Sequence, residues 1–126
     1  VAAQGKIHLR RNLFDWTDEG QPAGLTNVFR ICRNTGTTTP IEHVRIEENL
    51  ALYGPSRSCP VQVSGGITGI TGPVEFVNNW IRQKVTAGGA KGCFHPSTHG
   101  QVALWSGNRD ADTGADIAGP RGARTG

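Results

Sequence analysis

Apolar and polar residues alternate along Gly5-Lys6-Ile7-His8-Leu9-Arg10, the period of a strand with one buried face. Ile7 and Leu9 face inward in this reading, and Leu13, Phe14 and Trp16 continue the element past a bend. Asp18-Glu19-Gly20-Gln21-Pro22 is a turn. Asn27 to Arg33 predicts a second strand, built on Val28, Phe29 and Ile31. Ile41 to Glu47 alternates again, with Val44 and Ile46 on one face, His43, Arg45 and Glu47 on the other, and Ile41 one residue out of phase. Leu50, Leu52 and Tyr53 extend it towards the Gly54-Pro55 turn. Cys59 to Val63 predicts a short strand, and Gln101 to Trp105 the last one.

One segment carries a different period. Val74, Val77, Trp80, Ile81 and Val85 form a helical stripe. Pro73 suits a first helical position, Glu75 the first turn, and Gly88-Gly89 the stop, so the spacing predicts a helix over 73–87. One helix with five or six strands in an antiparallel sheet gives an α+β, β-rich single domain. Ile67-Thr68-Gly69 recurs as Ile70-Thr71-Gly72, but two copies of a triplet do not make a repeat architecture.

Composition sharpens the boundaries. Eighteen glycines and only 18% charged residues suit strands and turns over a helical bundle. Residues 1–105 form the globular unit. From Ser106 to Gly126 the chain is rich in Gly, Asp and Arg, with Ile117 its one large apolar residue. Composition assigns that tail to disorder unless it docks on something, most simply a neighbouring subunit. No stretch approaches the roughly 20 apolar residues of a membrane-spanning helix. The chain opens Val1-Ala2-Ala3-Gln4 and contains no Met, which reads as a processed, extracellular or secreted protein, with a virion surface as a variant. In that setting Cys32, Cys59 and Cys93 allow one disulfide, in three pairings.

Candidate chemistry is thin. The net charge of +3 is scattered, with no basic block of the kind nucleic-acid binders display, so nucleic acid is not favoured as a partner. His43, Arg45 and Glu47 share a strand face and, with His99, supply the base, acid and cation that a metal-independent ribonuclease needs. Asn108, Asp110, Asp112 and Asp116 place oxygen ligands two apart, like the front of a calcium loop, although Gly119 stands where a bidentate Glu would close it. Cys93, His95 and His99 are zinc-ligand types without the paired cysteines of a structural site. Gly88 to Gly92 follows the predicted helix, the wrong pole for phosphate.

No catalytic set or cofactor is favoured. The leading expectation is a non-enzymatic structural subunit of an extracellular or virion assembly, a homo-oligomer joined through edge strands such as Lys6–Arg10 and through the 106–126 tail. A small secreted ribonuclease-like hydrolase is the alternative. A carbohydrate-binding adhesin with Trp16 or Trp105 lining a glycan groove is the third.

Overall fold

The computed structural model describes residues 5–16, 27–31, 41–53, 59–63, 72–85, 88–89 and 91–126. Its strands are β1 (Gly5–Arg10), β2 (Leu13–Trp16), β3 (Phe29–Ile31), β4 (Ile41–Glu47), β5 (Leu50–Tyr53), β6 (Val61–Val63), β7 (Val74–Val77), β8 (Trp80–Ile81), β9 (Lys84–Val85), β10 (Lys91–Gly92), β11 (Leu104–Ser106) and β12 (Arg109–Asp110). Sheet A runs in the order β1-β4-β7-β11, sheet B in the order β12-β8-β5-β2, and sheet C pairs β3 with β6. Every ladder within these three sheets is parallel. Each neighbour in sheets A and B is the equivalent strand one circuit later. The chain therefore winds as a parallel β-solenoid of four rungs.

A repeated corner joins sheet A to sheet B. Asn12, Asn49, Asn79 and Asn108 occupy it, spaced 37, 30 and 29 residues apart. A short amide both donates and accepts, so it can bridge rungs in both directions. Asn49 Nδ2 donates to Leu9 O (3.0 Å) and to Asn79 Oδ1 (3.0 Å). Asn79 Nδ2 donates to Ile46 O (2.9 Å) and to Asn108 Oδ1 (2.8 Å). Asn108 Nδ2 donates to Phe76 O (2.9 Å). The residue before each ladder asparagine is left-handed: Arg11, Glu48, Asn78 and Gly107, with φ of 57, 55, 54 and 66°. That conformation costs a non-glycine residue roughly 1–2 kcal/mol, and the buried amide ladder offsets it. At Gly107 a Cβ would run into the Asn78 amide oxygen.

Inward positions stack into one core. The second and third rungs bury Val44, Ile46, Ala51, Val61, Val63, Val74, Phe76 and Ile81 almost completely. A chain of rings crosses the rungs, edge-to-face from Phe14 to Phe29 (5.0 Å) and to Phe76 (6.1 Å), then tilted from Phe76 to Trp105 (5.4 Å). The two ends differ. Beyond β12 the chain folds back: Trp105 Nε1 donates to Ile117 O (2.7 Å), Ile117 N donates to Asn108 O (2.9 Å), and Arg124 pairs with Leu104. Ile117 and Pro120 are buried in this cap. At the first rung, Ile7, Leu9, Phe14, Val28 and Ile31 are only half-buried. Asn12 Nδ2, with no earlier rung among the described residues, turns to its own Arg10 O (3.2 Å).

The antiparallel α+β expectation is overturned. Among the described residues antiparallel pairing is confined to the two-residue ladder of β9 with β10 and an isolated Arg109–Asp116 bridge. The segment predicted as a helix over 73–87 holds β7, β8 and β9. Val74 and Phe76 point inward from β7, and the corner at Asn78-Asn79 resets the alternation so that Ile81 points inward again. Two strands joined by a two-residue corner thus give inward spacings that imitate a helical stripe. Trp80, assigned to that stripe, is 44% exposed. Residues 67–71 of the Ile-Thr-Gly triplets lie outside the described residues, and the feature that recurs from circuit to circuit is the asparagine corner, at a varying spacing. The phase slip at Ile41 is a bulge: Gly5 pairs with Ile41 and Lys6 with His43, leaving Glu42 extra.

Candidate functional site

Register on sheet A assembles the densest chemistry of the described residues. Lys6 lies beside His43, and His8 beside Arg45, on the outer face of β1 and β4. Strand spacing is about 4.8 Å and two residues along a strand span about 6.7 Å. The four side chains therefore stand at the corners of a small rectangle, with the two histidines on one diagonal and Lys6 and Arg45 on the other. His8, His43 and Arg45 keep 50, 33 and 32% of their side-chain surface exposed.

Two glutamates sit lower in the same face and hold the imidazoles. Glu47 Oε2 meets His8 Nε2 at 2.9 Å, and Glu75 Oε1, from β7, meets His43 Nε2 at 2.5 Å. Arg45 joins the two pairs: it donates from Nε and Nη2 to the Glu47 carboxylate (3.2 Å each) and reaches Glu75 Oε1 at 3.7 Å. Hydrogen bonds from Arg45 and then His8 lower the Glu47 carboxyl from 4.5 to about 2, against a burial effect of opposite sign. The Glu47 bond likewise raises the Arg45 guanidinium above its ordinary value. Glu47 is thus ionised across the physiological range and is no proton donor. Nearby, Arg10 and Arg11 both pair with Glu48 (3.3 and 2.7 Å).

His43, Arg45 and Glu47 are thus together as the sequence suggested, but His99 is placed elsewhere. Its Nδ1 accepts from Arg121 N (3.0 Å) and its ring lies edge-on to Phe94 (5.6 Å). The second histidine of the cluster is His8, and the second carboxylate is Glu75. Neither has a local sequence signal. Counting back from each ladder asparagine finds them, since His8, Arg45 and Glu75 all lie four residues before Asn12, Asn49 and Asn79.

The suggested calcium ligands hold other posts. Asn108 ends the amide ladder. Asp110, 2% exposed, accepts from Gln83 Nε2 (2.8 Å), Lys91 Nζ (3.2 Å) and the Asp112 and Thr113 backbone N–H groups (2.8 and 3.1 Å). Burial works to raise its carboxyl, yet these donors outweigh it and bring it from 3.8 down to about 2. Asp112 pairs with Arg82 (3.0 Å), and Asp116 lies 3.9 Å from Arg109. Of the zinc-type residues, Cys93 is buried and His95 caps the 3₁₀ turn Pro96–Thr98 through Ser97 N (3.1 Å). No cluster of three or more metal-ligand types forms among the described residues.

Cys59 and Cys93 are free thiols, both raised by burial, while Cys32 lies outside the described residues. The exposed apolar residues of sheet B line up laterally: Leu13, Leu50 and Trp80, followed by Arg109. Trp105, one of the two tryptophans expected in a glycan groove, is 2% exposed in the core, and the Trp16 side chain lies outside the described residues. No helix among the described residues is long and apolar enough to cross a membrane. The chain matches no protein-family model, and no curated protein or solved structure is found to resemble it.

Proposed function

We propose that this chain is a structural β-solenoid module that associates with a second copy of itself through its open first rung. The observation that carries the reading is the contrast between the ends: the fourth rung is closed by Ile117, Pro120 and the Arg124 bridge, whereas in the first Phe29 is buried but Ile7, Leu9, Phe14, Val28 and Ile31 stay half-buried. Among the described residues β1 pairs only with β4. Its other edge has no partner strand among them, and such an edge is a template for a further strand. At the other end Leu104 of β11 is bridged by Arg124 and Arg109 of β12 by Asp116, which favours a two-fold contact of β1 with β1 over head-to-tail stacking. Contact through the tail is not part of this proposal, because residues 109–124 are spent on the chain's own cap. Nor does the reading lean on export, given the free Cys59 and Cys93.

Charge sets the strength of the contact. An antiparallel β1 pair centred on His8 puts Lys6 opposite Arg10 of the other copy. Like charges directly opposite weaken a strand pair, and salt relieves them. Sedimentation equilibrium over a wide concentration range is expected to give a monomer–dimer equilibrium that tightens as salt rises. Arg10→Glu, which turns the repulsion into attraction, is expected to tighten it severalfold at low salt. A strict monomer at all concentrations, or a dimer weakened by Arg10→Glu, would overturn the proposal.

A further inference from the structure

We infer that the outer face of sheet A is an acid–base site for single-stranded RNA, cleaving it without a metal ion. The inference is independent of self-association and rests on Lys6, His8, His43 and Arg45, with Glu47 and Glu75 behind them. Three features point to a phosphodiester as the ligand. Four basic or imidazole side chains ring a space one strand wide and two residues long. The imidazoles stand on opposite corners, about 8 Å apart at the backbone by strand geometry, so they can reach opposite sides of one phosphate. Lys6 and Arg45 take the other diagonal: the Lys6 ammonium can face a non-bridging oxygen, while the Arg45 guanidinium is held by Glu47 and Glu75 and braces the two carboxylates behind the imidazoles.

The carboxylates fix what the imidazoles can do. Each histidine has Nε2 on a glutamate, which leaves Nδ1 to face the ligand. A carboxylate behind an imidazole holds its tautomer and stabilises the imidazolium when it forms.

The reaction balances without a co-reactant. One imidazole, neutral, takes the proton of the ribose 2′-hydroxyl. The 2′ oxygen bonds to phosphorus as the P–O5′ bond breaks. The other imidazole, protonated, gives its proton to the departing 5′ oxygen. The products are a 2′,3′-cyclic phosphate and a 5′-hydroxyl, with no change of oxidation state. Lys6 offsets the charge that builds on the phosphorane.

The test is incubation of the full chain with an end-labelled oligoribonucleotide in the presence of a chelator, beside the same sequence as DNA. Cleavage of the RNA alone, with cyclic phosphate ends, is expected. His8→Ala and His43→Ala each remove one proton-transfer group, so a loss of about 100-fold or more is expected from each. Both side chains lie on the outer face, so the melting temperature is expected to hold. Absence of cleavage by the wild-type chain would overturn the inference. So would cleavage that survives both substitutions, since that activity would belong to a contaminant. Neither result bears on the monomer–dimer equilibrium, so the two proposals fail separately.

Discussion

At the scale of single residues, the fold turns on amides and carboxylates that have no freedom to be something else. Asn79 is fully buried, and its Oδ1 accepts from Asn49 N and Asn49 Nδ2 (3.0 Å each). Removing it strands those donors and Ile46 O away from water. Each such orphan costs about 1–3 kcal/mol, so Asn79→Ala is expected to lower stability by several kcal/mol in a denaturant titration. Asn12 sits at the exposed end of the ladder, and Asn12→Ala is expected to cost about 1 kcal/mol. Equal costs would contradict the ladder. Asp110 makes the acid prediction. Its carboxyl is depressed from 3.8 to about 2, so its contribution is complete above pH 3.8 and disappears as pH falls through 2. Glu47 acts in the same direction below 4.5. The melting temperature is expected to fall over that window, and Asp110→Asn to flatten the fall while lowering stability at neutral pH.

At the scale of elements, the long strands were legible, whereas the short strands of 74–85 and all strand partnership were not. The alternation over 5–10 and 41–47 locates β1 and β4, and even the slip at Ile41 marks the bulge. The 73–87 segment misled because a corner between two short strands shifts the phase of alternation, and Val and Ile fit both periods. Trp80 and Trp105 separate the two readings experimentally. In a helix packed on a sheet Trp80 is core, and its loss to alanine costs about 3–5 kcal/mol. On the outer face of β8 it is expected to cost about 1 kcal/mol or less, as surface substitutions do, while Trp105→Ala carries the full core cost. Thermal melts of the two variants measure the difference.

At the scale of the whole molecule, parallel pairing depends on contacts about 30 residues apart, with Asn49, Asn79 and Asn108 spaced 30 and 29 residues. Nothing local encodes that. The only sequence trace is the corner, Arg11-Asn12, Glu48-Asn49, Asn78-Asn79 and Gly107-Asn108, and its first residue varies because the side chain there points to solvent or is absent. The candidate site was legible by the same measure: His43, Arg45 and Glu47 share one strand, whereas His8 and Glu75 come from β1 and β7 and appear only once the rungs are in register. The polar composition of 106–126 hid a cap, because one buried isoleucine and a run of backbone bonds suffice to close a solenoid end.

Contact between copies through the first rung is open to a direct test by backbone hydrogen exchange. Exchange would be followed by mass spectrometry at a dilute and a concentrated protein level. Raising the concentration is expected to add protection within Gly5–Arg10 and to leave the 106–126 cap unchanged. Added protection in the cap alone, or none anywhere, would contradict that contact.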